Sequence, residues 1–386
     1  MSRPGNARQS GKRDVKALST SLLFLQTTWT EFRSGFLEPS TTAFFSMLFG
    51  LAVGCGTLLW FFSPSTIATP VGKYLPRSSS DAAAFATRTA LVLGSTPARS
   101  PRLLIFGAST VAQAISTGSV LSAEIQRLSG MYWDVHVLTT PVQSPLDQLA
   151  LIEAALEKHN PEGPPVLIVL GVGLQRLGWN KERLSLYEDI ARIGIRSVWV
   201  DEELVALGLR PRPRIGIYLL DNPRFVMGER IETVIRLALQ RPVLQRVDIY
   251  SNGTPLNLDK RPSKAILSQI AAGQADASTY FGLHANLAER LNAYPGVHLA
   301  LIEEPLAPDF LKARGLLDQQ ATMHHTLTDL TRTIGAVYWP IASEAGLATA
   351  DYHDNLHLKR GQAQDRFQIA LARHLSDFAK HLQIRQ

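Results

Sequence analysis

Twenty consecutive residues, AFFSMLFGLAVGCGTLLWFF from Ala43 to Phe62, carry no charge, and no other feature of this chain restricts its folding as much. At ~1.5 Å rise per residue the run makes a helix about 30 Å long, the thickness of a bilayer's hydrocarbon core. A core helix of that length ordinarily keeps one polar face, yet the polar side chains here are only Ser46, Cys55 and Thr57. A cleaved signal peptide has a short charged leader, whereas more than forty residues come before this run. The expectation is an uncleaved transmembrane helix over 43–62.

Charges on the two flanks set its direction. Arg3, Arg8, Lys12, Arg13, Lys16 and Arg33 precede the span against Asp14, Glu31 and Glu38, while only Lys73 and Arg77 follow closely. Positive charge stays on the cytoplasmic side. The expectation is a single-pass protein of the cell inner (cytoplasmic) membrane, N-terminus inside, with everything after about residue 63 periplasmic or extracellular.

The single cysteine, Cys55, lies within the span, so no intrachain disulfide can staple the domain and its core must hold it together. The chain has 386 residues, 45% of them hydrophobic and 19% charged, a size compatible with one large domain or two small ones. The net charge of +6 and pI near 9.5 come from dispersed basic residues, and the expected topology argues against nucleic acid as a partner. Anionic lipid or anionic polymer are the acidic partners left.

Along the chain, residues 1–42 read as a cytoplasmic tail, in which 18–29 are either a short helix on the membrane surface or a loose segment. Residues 63–100, rich in Ser, Pro, Thr and Ala, read as a stalk. From 101 to 386 apolar runs of strand length alternate with helical patterns. PRLLIFGAST, WDVHVLTT, PPVLIVLGVG, HLALIEEP and AVYWPI are the strands. Between them come an amphipathic stretch carrying Val111, Ile115, Leu121, Ile125 and Leu128, a helix from Ser144 capped by that serine with Pro145 in its first turn, a helical DFLKARGLLDQQATMHHTLTDLTRTIG, and a closing helix near Gln362–Gln383. The alternation predicts an α/β fold with a parallel sheet covered on both faces. A less regular, mostly helical insertion at about 180–296 interrupts it, containing the stiff LRPRPRIG loop, a helix at RIETVIRLALQ and the turn-rich YSNGTPLNLDKRP.

Two patterns carry chemistry. Gly107-Ala108-Ser109-Thr110 falls at the carboxyl end of the first domain strand, where open α/β sheets build their sites. Ser109 there is either a nucleophile whose backbone N–H helps to hold an oxyanion or a plain helix N-cap. Ahead of the closing helix stands Asp351-Tyr352-His353-Asp354-Asn355-Leu356-His357-Leu358. Asp354 and His357, three apart in a loop, are spaced so that the carboxylate reaches one imidazole nitrogen and leaves the other for a serine hydroxyl. His353 and Asp351 compete for these roles. A solvated turn, or a metal site using His353 and His357, are the alternatives.

A strand ending in G-x-S near the domain start, with D-x-x-H before the last helix, resembles the SGNH (GDSL-like) hydrolase superfamily over 101–386, the insertion aside. The resemblance implies a flavodoxin-like three-layer sandwich and ester hydrolysis or acyl transfer, with Ser109, Asp354 and His357 as nucleophile, acid and base. It needs no metal or organic cofactor. The family's usual GDS is GAS here. Its second block supplies a glycine N–H to the oxyanion hole, whereas Thr139–Ser144 contains no glycine, and Gln175 stands where the third block has asparagine. Gln175 and the Ser109 N–H are thus the oxyanion donors the resemblance leaves.

The anchor-plus-domain architecture is similar to DltD of teichoic-acid D-alanylation and to the alginate O-acetylation proteins. It implies an acylated cell-envelope polysaccharide or exopolysaccharide, or an acyl donor, as substrate and a membrane-bound O-acyltransferase as partner. Gly50 and Gly54 form a G-x-x-x-G through which a partner helix can approach; chance is the alternative. A non-catalytic scaffold of the same fold, binding polysaccharide or that partner, is the rival function. His324-His325, the Asn252-Gly253-Thr254 turn and the proline-spaced Arg210, Arg212 and Arg214 are weaker candidates.

Overall fold

Five short runs rich in Val, Leu and Ile pair in parallel: β1 Arg102–Phe106, β2 Asp134–Val137, β3 Val166–Val172, β4 Val297–Glu303 and β5 Val337–Trp339. Their order in the sheet is β2-β1-β3-β4-β5. Leu103 faces Val135 on one side and Leu167 on the other, and Leu170 is in register with Leu301. The central β3 is buried along its whole length, which is why its sequence runs apolar without alternation. The strand order reverses between β1 and β3, the switch point at which open α/β sheets build their sites.

The computed structural model describes residues 30, 41–61, 63–68, 82–187, 193–223 and 264–385. The chain forms two compact units, 1–61 and 62–386. Nearly all of the expected tail over 1–42, the helix at RIETVIRLALQ, the Asn252-Gly253-Thr254 turn and part of the expected stalk lie outside the described residues.

The longer helices are α1 Thr41–Phe61, α2 Ala82–Ser95, α3 Ser109–Ala114, α4 Gly118–Ser129, α5 Pro145–Ala155, α6 Val198–Ala206, α7 Lys264–Ala275, α8 Ser278–Leu291, α9 Leu317–Thr333 and α10 Gln362–Arg385. In α1, the stretch Thr41–Trp60 is long and apolar enough to cross a membrane, and none of it is buried within the protein. The described part of the span between β3 and β4 is helical or irregular.

Three sequence expectations change in the folded chain. Residues 82–95 belong to the domain and not to a stalk: α2 lies against α5 with Ala86 and Ala90 wholly buried. Alanines give this helix a smooth, close-packing face, which a composition count reads as linker. The amphipathic stretch after Ser109 is two helices. Ile115 leaves α3 in an extended conformation, and the Thr117 side chain caps α4 by accepting the Val120 N–H at 3.2 Å. The long helix expected over 309–335 breaks at Gly315, whose φ of 63° lies in the left-handed region that favours glycine. The helix from Pro145 does carry its Ser144 cap, with Asp147 completing a reciprocal capping box.

Candidate active site

β1 ends and turns at Gly107-Ala108 before α3 begins with Ser109. The turn is tight because α3 presses on the sheet. A Cβ at Gly107 would meet Val111 Cγ2 at 2.5 Å, and one at Gly171 in β3 would meet the same atom at 2.4 Å. Glycine at both positions lets Val111 drop between the strands and fixes Ser109 above the carboxyl end of β1. No described residue accepts the Ser109 backbone N–H, which is the first of α3.

The second half of the site comes from a closed loop nearly 250 residues later. Tyr352 and Leu358 are each 1% exposed and form an antiparallel bridge. His353 N–H donates to His357 O, and Lys359 N–H donates to Asp351 O, both at 2.7 Å. Burial of the two apolar anchors pins the ends of the loop and leaves Asp354–His357 at its tip. Ala307 N–H donates to Asn355 O at 2.9 Å and ties the tip to the segment after β4.

Ser109, His357 and Asp354 thereby meet. Ser109 Oγ lies 2.9 Å from His357 Nε2, and His357 Nδ1 lies 2.7 Å from Asp354 Oδ2. Asp354 Oδ1 accepts the backbone N–H groups of Leu356 and His357 at 2.7 and 2.8 Å. With Nδ1–H donating to the carboxylate, Nε2 is left as the acceptor for the serine hydroxyl. Burial by itself would raise the Asp354 carboxyl. The His357 hydrogen bond and charge, with the two backbone donors, outweigh it and hold Asp354 below the ordinary carboxylate value. Asp354 therefore stays ionised beside the imidazole.

The competing residues are occupied elsewhere. Asp351 pairs with Arg366 and accepts the Ala348 N–H at 2.7 Å. His353 lines a neighbouring groove. His324 Nε2 lies 2.8 Å from Glu303 Oε1. Arg214 pairs with Asp201 at 2.6 Å. Among the described residues no group of three or more His, Cys, Asp or Glu side chains is placed to hold a metal ion.

Gln175 sits in a second polar cluster. It lies in the single 3-10 turn after β3, Leu174–Arg176, and its Nε2 donates to Glu304 Oε2 at 2.7 Å. Arg176 Nε reaches both Glu304 oxygens at 3.2 Å, with the two side chains 7% and 0% exposed. Glu304 Oε1 also lies 3.5 Å from the Ala108 N–H, one residue before the nucleophile. Arg176 Nη1 donates to Gln143 O, and Gln143 spans the strand ends by accepting Gly107 N–H at 2.7 Å and donating to Leu138 O at 2.8 Å. Gln175 Oε1 and Arg176 Nη2 are buried without a partner.

Sequence reasoning did not single out Glu304, Arg176 or Gln143. The one available signal was the Glu303-Glu304 pair closing an apolar strand. Successive strand side chains point to opposite faces, and the two carboxylates separate accordingly: Glu303 serves His324, Gln320 and Ser343, while Glu304 serves Gln175 and Arg176. The turn from Thr139 to Ser144, which lacks glycine, still places one residue in the left-handed region: Val142, at φ 54°. A β-branched residue there is strained.

A scan against protein-family models finds no match for this chain, and a search of curated proteins finds no relative.

Proposed function

We propose that this chain is a membrane-anchored serine esterase or O-acyltransferase of the SGNH (GDSL-like) type, acting on acyl esters, acetyl foremost, of a cell-envelope or exopolysaccharide. The observation that supports the reading is the hydrogen-bonded relay from Ser109 Oγ through His357 to Asp354. The β2-β1-β3-β4-β5 order agrees with a flavodoxin-like sandwich. The cationic flank before α1 favours an inner-membrane anchor with the domain periplasmic or extracellular.

In this reading Ser109 Oγ attacks the acyl carbonyl carbon while His357 Nε2 takes the hydroxyl proton. Asp354 holds the imidazole in the required tautomer and stabilises the imidazolium. The tetrahedral oxyanion takes a hydrogen bond from the Ser109 N–H. Collapse breaks the ester C–O bond, and His357 returns the proton to the departing alkoxide, leaving an acyl-Ser109 ester. Water, or a hydroxyl of an acceptor, then attacks that ester by the same route in reverse. Gln175 contributes a second donor only through the one Nε2–H that its Glu304 bond does not use.

That last requirement favours one alternative, a non-catalytic SGNH-like scaffold that recognises polysaccharide or a membrane-bound O-acyltransferase reached through α1 at Gly50 and Gly54. Labelling with a fluorophosphonate separates the two. The expected result is labelling of the full chain that disappears in Ser109→Ala and His357→Ala. A folded wild-type protein that never labels at neutral pH overturns the enzyme and leaves the scaffold.

A further inference from the structure

Beside the relay lies a groove of about 590 Å³, within the range of small-ligand sites. Its walls are the start of α2, the far end of α3, the start of α4, the end of β2 with the turn that follows, and the loop before α10 with that helix's first turn. Neither Ser109 nor His357 lines it, yet three connections tie it to them. Ala112 and Gln113 are one helical turn beyond Ser109. His353 donates its backbone N–H to His357 O at 2.7 Å, and Thr140 donates its N–H to Gly107 O at 3.2 Å. The groove therefore opens alongside the nucleophile turn and the base.

Its lining has a definite chemistry. Hydroxyls of Ser116, Thr117, Ser119, Thr139 and Thr140, two glutamine amides and the imidazoles of His136 and His353 are interleaved with the apolar faces of Phe85, Val137 and Leu358. A hydrophobic acyl chain would be better served by an unbroken apolar wall. Sugar rings present apolar C–H faces and a rim of hydroxyls, which is the alternation found here. Among the described lining residues Arg360 is a cation and none is Asp or Glu. Those residues offer a polycationic ligand no counter-charge, and an uncharged or anionic one no repelling carboxylate.

We propose that this groove holds the saccharide portion of the substrate, an uncharged or anionic glycan chain, with one hydroxyl directed at the acyl-Ser109 ester. The proposal rests on the acyl-enzyme reading above. In the transfer step the glycan hydroxyl gives its proton to His357 Nε2 and its oxygen bonds the acyl carbon. The bond from that carbon to Ser109 Oγ then breaks, and the proton passes to Oγ, restoring the free serine.

The test is direct binding to the full-length Ser109→Ala chain in lipid nanodiscs, by calorimetry, of an unacylated oligohexuronate and of an uncharged oligohexose of equal length. Both are expected to bind. Ser119→Trp, which fills the groove from its rim, is expected to weaken both at least tenfold. Ser119→Asp adds a carboxylate in the first turn of α4, where a negative charge suits the helix end. It is expected to weaken the uronate several-fold and leave the hexose unchanged, which guards against a misfolded tryptophan variant. The proposal is overturned when neither oligosaccharide binds, or when both variants bind both probes as their parent does. These outcomes are independent of the chemistry: wild-type labelling by fluorophosphonate without glycan binding sinks the groove alone, and glycan binding without labelling sinks the acyl-enzyme alone.

Discussion

Two polar clusters sit at the carboxyl end of the same sheet and are built on opposite principles. In the Ser109–His357–Asp354 relay the charged members keep some solvent contact, 17% of the His357 side chain and 27% of Asp354. Every bond in the chain of three is one that can pass or stabilise a proton. The Gln175–Arg176–Glu304 cluster is closed off from water, with the Glu304 side chain fully buried. Its bonds tie β3, β4 and the turn before the nucleophile together. A buried ion pair adds little net stability when formed, but losing one partner strands the other charge. The difference separates a cluster that can react from one that holds the first in place.

The largest expected effect tests the reactive side. Asp354→Asn removes the charge and misdirects the imidazole, so esterase turnover, or the rate of fluorophosphonate labelling, is expected to fall by about 10²–10⁴-fold in a chain that remains folded at neutral pH. A rate within threefold of wild type would make the carboxylate a mere loop cap. The supporting side answers in stability. Glu304→Ala leaves Arg176 buried without its anion, and chemical denaturation is expected to register about 3–5 kcal/mol; a loss below ~1 kcal/mol would mean that water reaches Arg176.

Acid sharpens the same contrast. Asp354 is held below its ordinary 3.8 in the folded chain. A carboxyl depressed by folding stabilises the protein fully above its unfolded value, and that contribution disappears as pH falls through the lower folded value. The thermal midpoint is therefore expected to drop below about pH 4, less steeply in Asp354→Asn than in wild type. Equal slopes would show that other carboxylates govern the transition. The smallest effect concerns the turn between the clusters. Val142→Gly relieves the left-handed strain, offset by the greater backbone freedom of unfolded glycine, for a net gain of about 1 kcal/mol or a few degrees in midpoint. A loss of stability would mean that the valine side chain holds the turn.

How much was legible depended on whether a signal was local. The five strands and the Ser144 cap were readable because burial on both faces and capping chemistry leave their marks within a few residues. Ser109, Asp354 and His357 were readable as candidates because each half of the relay has its own short pattern, G-x-S and D-x-x-H. Gln175 was marked only by its place after β3, and nothing near it announced that its amide would face Glu304, 129 residues away. The breaks at Ile115–Thr117 and at Gly315 escaped a periodicity reading because apolar residues on both sides kept helical spacing across them.

By itself the sequence determined that a helix long and apolar enough to cross a membrane would form, that a parallel α/β sheet would form, and which short motifs could carry chemistry. Hydrophobicity, period and caps are properties of neighbouring residues. Only the tertiary structure decided that Ser109 and His357 stand within one proton's reach, that Glu304 accepts a hydrogen bond from Gln175, and that residues 82–95 belong to the core. Each of these depends on which distant backbones are brought together when the sheet closes, and chain order alone does not specify that packing.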